Sequence, residues 1–147
     1  MIRKADERDI EVIAEYNCMM ALETENLKLN KKTVISGVKH AVNDPEKASY
    51  YLYEVDGEVV GQLMITKEWS DWRDGYFLWI QSVYVLEEYR RQGIFKALYN
   101  HIEDIVNENS DLCGIRLYVE RNNKRARQTY AIMGMEETHY LLYEMEK

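Results

Sequence analysis

An apolar strand, a short basic loop with one glycine and an amphipathic helix follow one another at residues 80–98, and this succession constrains the fold more than any other feature. Arg90, Arg91 and Lys96 surround Gly93 in the loop and at the start of the helix. The first turn of a helix offers unpaired N–H groups and the positive end of the helix dipole, which favour an anion. Glycine lets the backbone approach such a ligand closely. We therefore expect a pyrophosphate to bind here.

The first half of the chain predicts one strand, two helices and a β-hairpin. Asp6 has the position of a helix N-cap, and Pro45 prevents a second helix from continuing. After that proline the apolar period changes from helical spacing to alternation, with an Asp56-Gly57 turn between two strands. The predicted elements are a strand at Ile2–Ala5, helices from Asp6 to Thr24 and from Lys31 to Val42, and strands at Ser49–Val55 and Glu58–Thr66.

The second half predicts strands that alternate with helices, and no proline- or glycine-rich linker divides the chain. The predicted elements are a strand at Tyr76–Val85, a helix from Gly93 to Asn109, a strand at Ile115–Val119, a helix from Asn122 to Met133 and a strand around Tyr140–Met145. The order β-α-α-β-β-β-α-β-α-β predicts an α/β fold with a mixed, mostly antiparallel central sheet flanked by helices. We expect residues 1–147 to form a single domain.

The composition argues against several classes of partner and site. The chain has 26 acidic and 19 basic residues, a net charge of −7, whereas proteins that bind nucleic acid usually present a basic face. The N-terminus is too charged for a secretory signal, and no apolar run reaches the roughly 20 residues of a membrane span. Neither Cys18 and Cys113 nor the histidines have metal-ligand spacing. We expect a cytoplasmic protein without a metal, nucleic-acid or membrane partner.

The loop at residues 90–95 resembles the acetyl-CoA loop of the GNAT superfamily of N-acetyltransferases. Neither GxxxxGK[ST] nor GxGxxG occurs in the chain. The GNAT pattern is a strand, then [RQ]-x-x-G-x-[GA], then a helix; Arg90 and Gly93 match it, whereas Phe95 stands where the family normally has a small residue. The strand residues Val83 and Val85 also match, as does the order of elements. A second family signature, N-x-x-A-x-x-x-Y-x-x-x-G, is matched after a later strand by Asn123, Ala126, Tyr130 and Gly134.

The resemblance implies which residues bind acetyl-CoA and which one acts on it. Backbone groups of the strand would contact the pantetheine and the thioester oxygen, and the loop would hold the pyrophosphate. The hydroxyl of Tyr130 would protonate the leaving thiolate. Its helical spacing alone favours a core tyrosine, and an ordinary buried strand would also contain these valines. The implied cofactor-binding residues are Val83, Tyr84, Val85, Arg90, Arg91, Gln92, Gly93, Ile94, Phe95, Lys96 and Asn123.

The acceptor side lacks the titrating residue that many family members carry on the strand before the loop. This strand offers Trp79 and Gln81, and neither side chain accepts a proton at pH 7. We therefore predict that a carboxylate elsewhere in the chain takes the proton of the amine, through water. Aromatic walls with nearby acids suit a cationic amine, whereas a hydrophobic plug and solvated surface acids are the alternatives. The predicted acceptor-site residues are Glu23, Glu25, Glu68, Trp69, Asp71, Trp72, Trp79 and Gln81, with Asp74 and Tyr76 beside them.

The resemblance thus implies direct transfer of an acetyl group from acetyl-CoA to a primary amine in a ternary complex. The acceptor is a small molecule or a protein amino group, and no covalent enzyme intermediate is needed. The alternative is a non-catalytic acyl-CoA-binding regulatory domain, which Phe95 and the missing strand base favour and Tyr130 opposes. The sequence leaves open the length of the acyl group, the identity of the amine and the oligomeric state, a homodimer included.

Overall fold

The computed structural model describes residues 1–147 and groups them into two compact units, Met1–Leu117 and Tyr118–Lys147. The first unit holds a sheet and three helices, and the second holds one helix. In chain order the elements are β1 (Ile2–Lys4), α1 (Ile10–Glu25), α2 (Lys31–Asn43), β2 (Ser49–Val55), β3 (Glu58–Ser70), β4 (Gly75–Val85), α3 (Ile94–Glu108), β5 (Leu112–Arg116) and α4 (Lys124–Ile132).

The five strands form one sheet in the order β1-β2-β3-β4-β5. All neighbouring strands are antiparallel except β4 and β5, which are parallel. The turn between β2 and β3 has positive φ angles at both Asp56 (51°) and Gly57 (83°), as the tightest hairpin turns require. The structure confirms the predicted α/β fold with a mixed, mostly antiparallel sheet.

Helices cover both faces of this sheet because its strands alternate apolar side chains between the two faces. Tyr50 and Leu52 of β2 belong to a core with Ile13 of α1 and Val38 of α2. On the opposite face α3 packs so closely that a Cβ atom at Gly61 would lie 2.8 Å from a side-chain carbon of Ile94. We call these the α1 face and the α3 face.

The helix boundaries follow from local hydrogen bonds. Asp6 accepts from the N–H of Arg8 and begins a short 3-10 turn that continues into α1, while the carboxylate of Asp9 completes a capping box. The side chain of Asn30 caps α2 by accepting from the N–H of Thr33. None of the helices combines the length and the apolar character of a bilayer-crossing segment.

Two strands have different limits from those expected. β3 continues to Ser70 rather than Thr66, because the hairpin stays paired up to the contact between Ser70 and Gly75. β5 spans Leu112–Arg116 rather than 115–119. Its Gly114 lies opposite Phe77 and leaves room for that ring, since a Cβ atom there would be 2.8 Å from it. Glycine weakens a strand signal in sequence, which explains the displaced prediction.

The strand expected around Tyr140–Met145 is not formed. Residues 135–147 contain no helix or strand. Glu137 accepts a hydrogen bond from Arg127 of α4, and the Tyr140 N–H donates to Thr138 Oγ1, but neither bond pairs the segment with a strand. Large aromatic and aliphatic side chains suit a strand, but a strand also needs a hydrogen-bonding neighbour, which sequence alone does not supply. In the structure the side chains of this stretch are exposed, at 61% for Tyr140 and 90% for Tyr143.

Candidate active site

β4 and β5 separate partway along their length. β5 pairs with β4 only from Tyr76 to Trp79, whereas β4 continues to Val85 and remains paired with β3 on its other side. Residues 80–85 of β4 therefore have no strand neighbour on the β5 side. We call this opening the gap beside β4.

A β-bulge interrupts β4 at the start of the gap. Gln81 pairs with Met64 and Tyr84 with Gln62, so that two residues of β4 lie opposite one of β3. Ser82 adopts a left-handed conformation with φ 50°, which is uncommon for a residue other than glycine. Its carbonyl accepts a hydrogen bond of 3.2 Å from the side-chain amide of Gln62.

The direction of the strand backbone after the bulge can be read from its neighbours. The N–H of Leu86 donates to Val60 O of β3 at 2.9 Å, and successive residues of a strand point their backbone groups in opposite directions. The N–H groups of Val83 and Val85 therefore point away from β3, into the gap. The carbonyl of Val85 confirms this direction, because it accepts from Arg90 Nε at 2.8 Å.

The loop that follows carries two left-handed residues, Arg91 (φ 64°) and Gly93 (φ 79°). Gly93 is the N-cap of α3, and no side chain caps the helix there. Nothing lies within 4 Å of the position of a Cβ atom at Gly93, so the space above it is open. Arg91, Gln92 and Lys96 are exposed beside it. An uncapped helix start with two cationic side chains is a suitable anion site.

Ile94 and Phe95, the two hydrophobic residues after Gly93, use their side chains in packing. Ile94 is buried, with 5% of its side chain exposed, and packs against Gly61. The ring of Phe95, which departs from the family pattern, lies 6.4 Å from the ring of Tyr99 one turn further along α3. This contact runs along the helix, so the bulky side chain is used in packing.

Arg90 and Glu23 form an ion pair that joins α1 to the loop. Arg90 Nη2 lies 2.7 Å from Glu23 Oε2, and its guanidinium is 5.4 Å from the ring centre of Tyr84. The other oxygen of Glu23 accepts from the Tyr84 hydroxyl at 3.1 Å. Burial, and then the adjacent Glu23 carboxylate, raise the pKa of Tyr84. The charge of Glu23, one of the predicted acceptor acids, is thus already balanced.

The predicted acceptor aromatics do not form one wall. Strand alternation places Trp79, Gln81 and Glu68 on the α1 face and Trp69 on the α3 face, where its ring meets Tyr76 edge-on at 4.9 Å. Gln81 donates to the hydroxyl of Thr66 at 2.8 Å. Two predicted residues lie in the exposed turn between β3 and β4, and one ends α1; these are Asp71, Trp72 and Glu25.

Glu68 is also paired. Its carboxylate lies 2.6 Å from Arg116 of β5, and the Arg116 guanidinium sits 3.7 Å from the centre of the Phe77 ring. Glu68 and Glu23 are therefore both on or beside the α1 face, and both have a cationic partner.

The residues of the second signature lie on α4, in the second unit. Asn123 caps this helix by accepting from the Ala126 N–H at 3.1 Å, and Gly134 (φ 90°) follows its end. Burial raises the pKa of Tyr130, so its hydroxyl keeps its proton at neutral pH. A protonated hydroxyl is what a general acid requires.

Sequence reasoning missed a group of buried polar residues on the α1 face. Gln62 is completely buried, and Asn17 and Tyr50 are nearly so, with 8% and 4% exposed. The available signal was a polar residue in the apolar run Val-Val-Gly-Gln-Leu-Met-Ile of β3. A lone polar residue at a core position usually needs partners that the sequence does not identify.

Comparisons with known proteins agree with this geometry. Residues 13–135 match the family described as the Acetyltransferase (GNAT) family. An N-alpha-acetyltransferase of Sulfurisphaera tokodaii is 34% identical over 104 residues, which are 65% of this chain. The match spans 60% of the length of that relative.

Solved structures share the whole fold. "A possible acetyltransferase" from Clostridium difficile 630 is 46% identical, with a TM-score of 0.95 over 100% of this chain and 97% of that one. A "predicted acetyltransferase with acetyl-CoA" from Clostridium acetobutylicum has a TM-score of 0.79 over 99% of this chain and 95% of that one. At 17% identity this second likeness is one of fold alone.

Proposed function

Because the chain belongs to the acetyltransferase (GNAT) family, we propose that it transfers the acetyl group of acetyl-CoA to a primary amine of a small molecule or a protein. The observation that carries the proposal is the gap beside β4, which opens next to an uncapped helix start with cationic side chains. The Clostridium acetobutylicum structure of the same fold was solved with acetyl-CoA, and the Sulfurisphaera tokodaii relative is named for N-alpha-acetylation.

The residues present fit an acyl-CoA. The open space at Gly93 and the side chains of Arg91 and Lys96 suit the pyrophosphate of acetyl-CoA. The N–H groups of Val83 and Val85 suit the amide and thioester oxygens of its pantetheine arm. When bound, acetyl-CoA supplies an acetyl group activated as a thioester.

The chain's own groups then have two tasks at the thioester. A backbone N–H of β4, best placed at Val83, donates to the carbonyl oxygen as negative charge develops there. Tyr130 donates its proton to the sulfur of the leaving group. The amine attacks directly, so neither Cys18 nor Cys113 is required as a nucleophile.

The proton of the amine leaves through a carboxylate outside β4. Trp79 and Gln81 carry no titrating group, and the Gln81 amide already donates to Thr66. Glu23 and Glu68 lie on or beside the α1 face, as Trp79 and Gln81 do, but both are paired with arginines. Glu25 and Asp71 are exposed. All four acids remain in the proposal, and water connects the acid to the amine.

A panel of primary amines tests the proposal most simply. Release of CoA from acetyl-CoA is followed with small amines, polyamines, amino acids and peptides with free N-termini, and acetylated products are identified by mass. We expect one class to accelerate CoA release well above the rate with water. Binding of acetyl-CoA without transfer to any amine would instead favour the non-catalytic alternative.

A further inference from the structure

A ring of four polar residues lies against the bulge of β4, and three hydrogen bonds join its members. Gln62 Nε2 donates to Asn17 Oδ1 at 2.8 Å and to Ser82 O at 3.2 Å. Asn17 Nδ2 donates to the hydroxyl oxygen of Tyr50 at 3.3 Å, and the Tyr50 hydroxyl lies beside the Ser82 side chain. We call this set, Asn17, Tyr50, Gln62 and Ser82, the Gln62 ring.

Burying the Gln62 ring costs more free energy than an apolar core at the same place would. Gln62 is fully buried, its Oε1 atom has no hydrogen-bond partner, and its cross-strand neighbour Leu52 shows that apolar side chains fit this layer. Burying polar groups costs free energy unless all of them are paired, and one is not. Local rules of this kind are broken most often where a site requires it.

The ring holds Ser82 at two points. The bulge turns the Ser82 carbonyl out of the strand ladder, and the Gln62 amide pairs with it. The Ser82 side chain lies beside the Tyr50 hydroxyl. Together these contacts stabilise a left-handed φ of 50° that a serine would otherwise avoid.

We propose that the Gln62 ring fixes the bulge of β4 and thereby aims the Val83 N–H into the gap. Val83 follows Ser82 directly, so a change in Ser82 rotates this donor. Asn17, Tyr50 and Gln62 are positioning residues, since they act through Ser82 and not on the reacting atoms. The inference rests on the proposed acetyl transfer, and it explains why the N–H of Val83, the proposed oxyanion donor, points into the gap.

Replacement of Gln62 by methionine tests the inference, because it keeps the length of the side chain and removes its amide. Loss of an oxyanion donor costs about 100- to 1,000-fold in kcat, and a misdirected donor loses part of that, so we expect kcat to fall about 10- to 100-fold. The KM for acetyl-CoA should stay within about threefold, since the pyrophosphate site is untouched. Leu52→Met is the matched control, a buried neighbour on the same face outside the ring, and should keep kcat.

Assays are run below the melting temperature of each variant, at equal folded fraction. A fall of kcat by more than about threefold relative to Leu52→Met, at unchanged KM, supports the ring; a smaller fall overturns it. If Gln62→Met does not fold, Tyr50→Phe is judged by the same criterion, because it removes only a hydroxyl.

A structural measurement separates this inference from the proposed function. The Val83 amide resonance is compared between the parent and the two variants without any ligand. The ring predicts that this resonance moves in Gln62→Met and stays in Leu52→Met, whether or not the parent acetylates any amine. An unmoved Val83 resonance in Gln62→Met contradicts the ring, while a parent without transfer activity contradicts only the proposed function.

Discussion

The two ends of β4 are built in different ways. At the loop end, residues 82–85, the strand has lost its neighbour on one side, and its own backbone groups face the gap. At the hairpin end, residues 75–79, β4 is paired on both sides, and only side chains project. In the proposed function the loop end therefore binds through atoms that every residue has, whereas the hairpin end binds through whichever side chains occupy it.

This difference explains why the donor site can be assigned and the acceptor cannot. A bulge, a left-handed glycine and a helix start give the loop end a chemistry that depends little on side-chain identity. At the hairpin end the charges of Glu68 and Arg116 already balance each other, and Trp69 and Trp79 face opposite sides of the sheet. Selectivity for the amine depends on those side chains.

The largest expected effect is at the loop end. Gly93→Glu introduces a negative charge and a side chain at φ 79°, and we expect acetyl-CoA affinity to fall at least about 100-fold. A thermal shift with millimolar acetyl-CoA measures it, since a bound ligand stabilises the fold. Gly37→Glu, in open space on α2 without a positive φ, is the matched control and should keep the shift. An equal shift in both variants would place the phosphate site elsewhere.

Tyr130→Phe tests whether a side chain serves the leaving group in the proposed reaction. We expect kcat to fall about 10- to 1,000-fold with acetyl-CoA affinity nearly unchanged, because the hydroxyl serves only the leaving group. Steady-state kinetics with the best amine, or the slow release of CoA to water, provide the measurement. Tyr143→Phe, at a residue 90% exposed, is the control. Unchanged turnover in a folded Tyr130→Phe protein would make this tyrosine a core residue.

The next effect concerns the carboxylate that takes the proton of the amine. Single substitutions Glu23→Gln, Glu25→Gln, Glu68→Gln and Asp71→Asn are assayed across pH with one amine. We expect one of them to raise the KM for the amine about tenfold and to shift the acidic limb of the pH–rate profile, because it removes both an attraction and a proton acceptor. Glu11→Gln, an exposed acid on α1, should change neither. If all four variants keep the pH–rate profile of the parent protein, the amine loses its proton in solvent before it binds.

The smallest effect is expected at the hairpin end itself. Arg116→Met removes the ion pair with Glu68, whose carboxylate is 41% exposed. Partly exposed pairs contribute about 1 kcal/mol or less, so the free energy of unfolding should change little, and acetyl-CoA affinity should not change. Denaturant unfolding and the thermal shift measure the two quantities. A large loss of acetyl-CoA binding would show that the two ends are not separate.

The features that the sequence predicted are those with local causes. The Asp56-Gly57 turn and the loop around Gly93 follow from backbone conformations that neighbouring residues determine. The Arg90–Glu23 pair joins residues 67 positions apart, and the Gln62–Asn17 bond spans 45. Neither bond has a local signal, so the sequence suggested Glu23 as an available acid and did not single out Gln62.

The strand ends show the same limit. Gly114 weakens the sequence signal for the beginning of β5. Glycine is needed there because the ring of Phe77, on another strand, occupies the space that a Cβ atom would fill. The side chains at 140–145 are large and mostly apolar, as strands prefer, yet a strand forms only where a neighbour accepts its hydrogen bonds. Pairing partners are a property of the folded chain and not of the segment.

The central claim is that acetyl-CoA is held by the backbone of the loop end. A titration of the labelled protein with acetyl-CoA, followed through its amide resonances, tests this claim most directly. The account predicts that the amides of Val83, Val85 and the first turn of α3 shift together, with saturation at one affinity, while those of Phe77 and Leu78 shift little. Larger shifts at Phe77 and Leu78 than at Val83 and Val85, or no shift at either end at millimolar ligand, would contradict it.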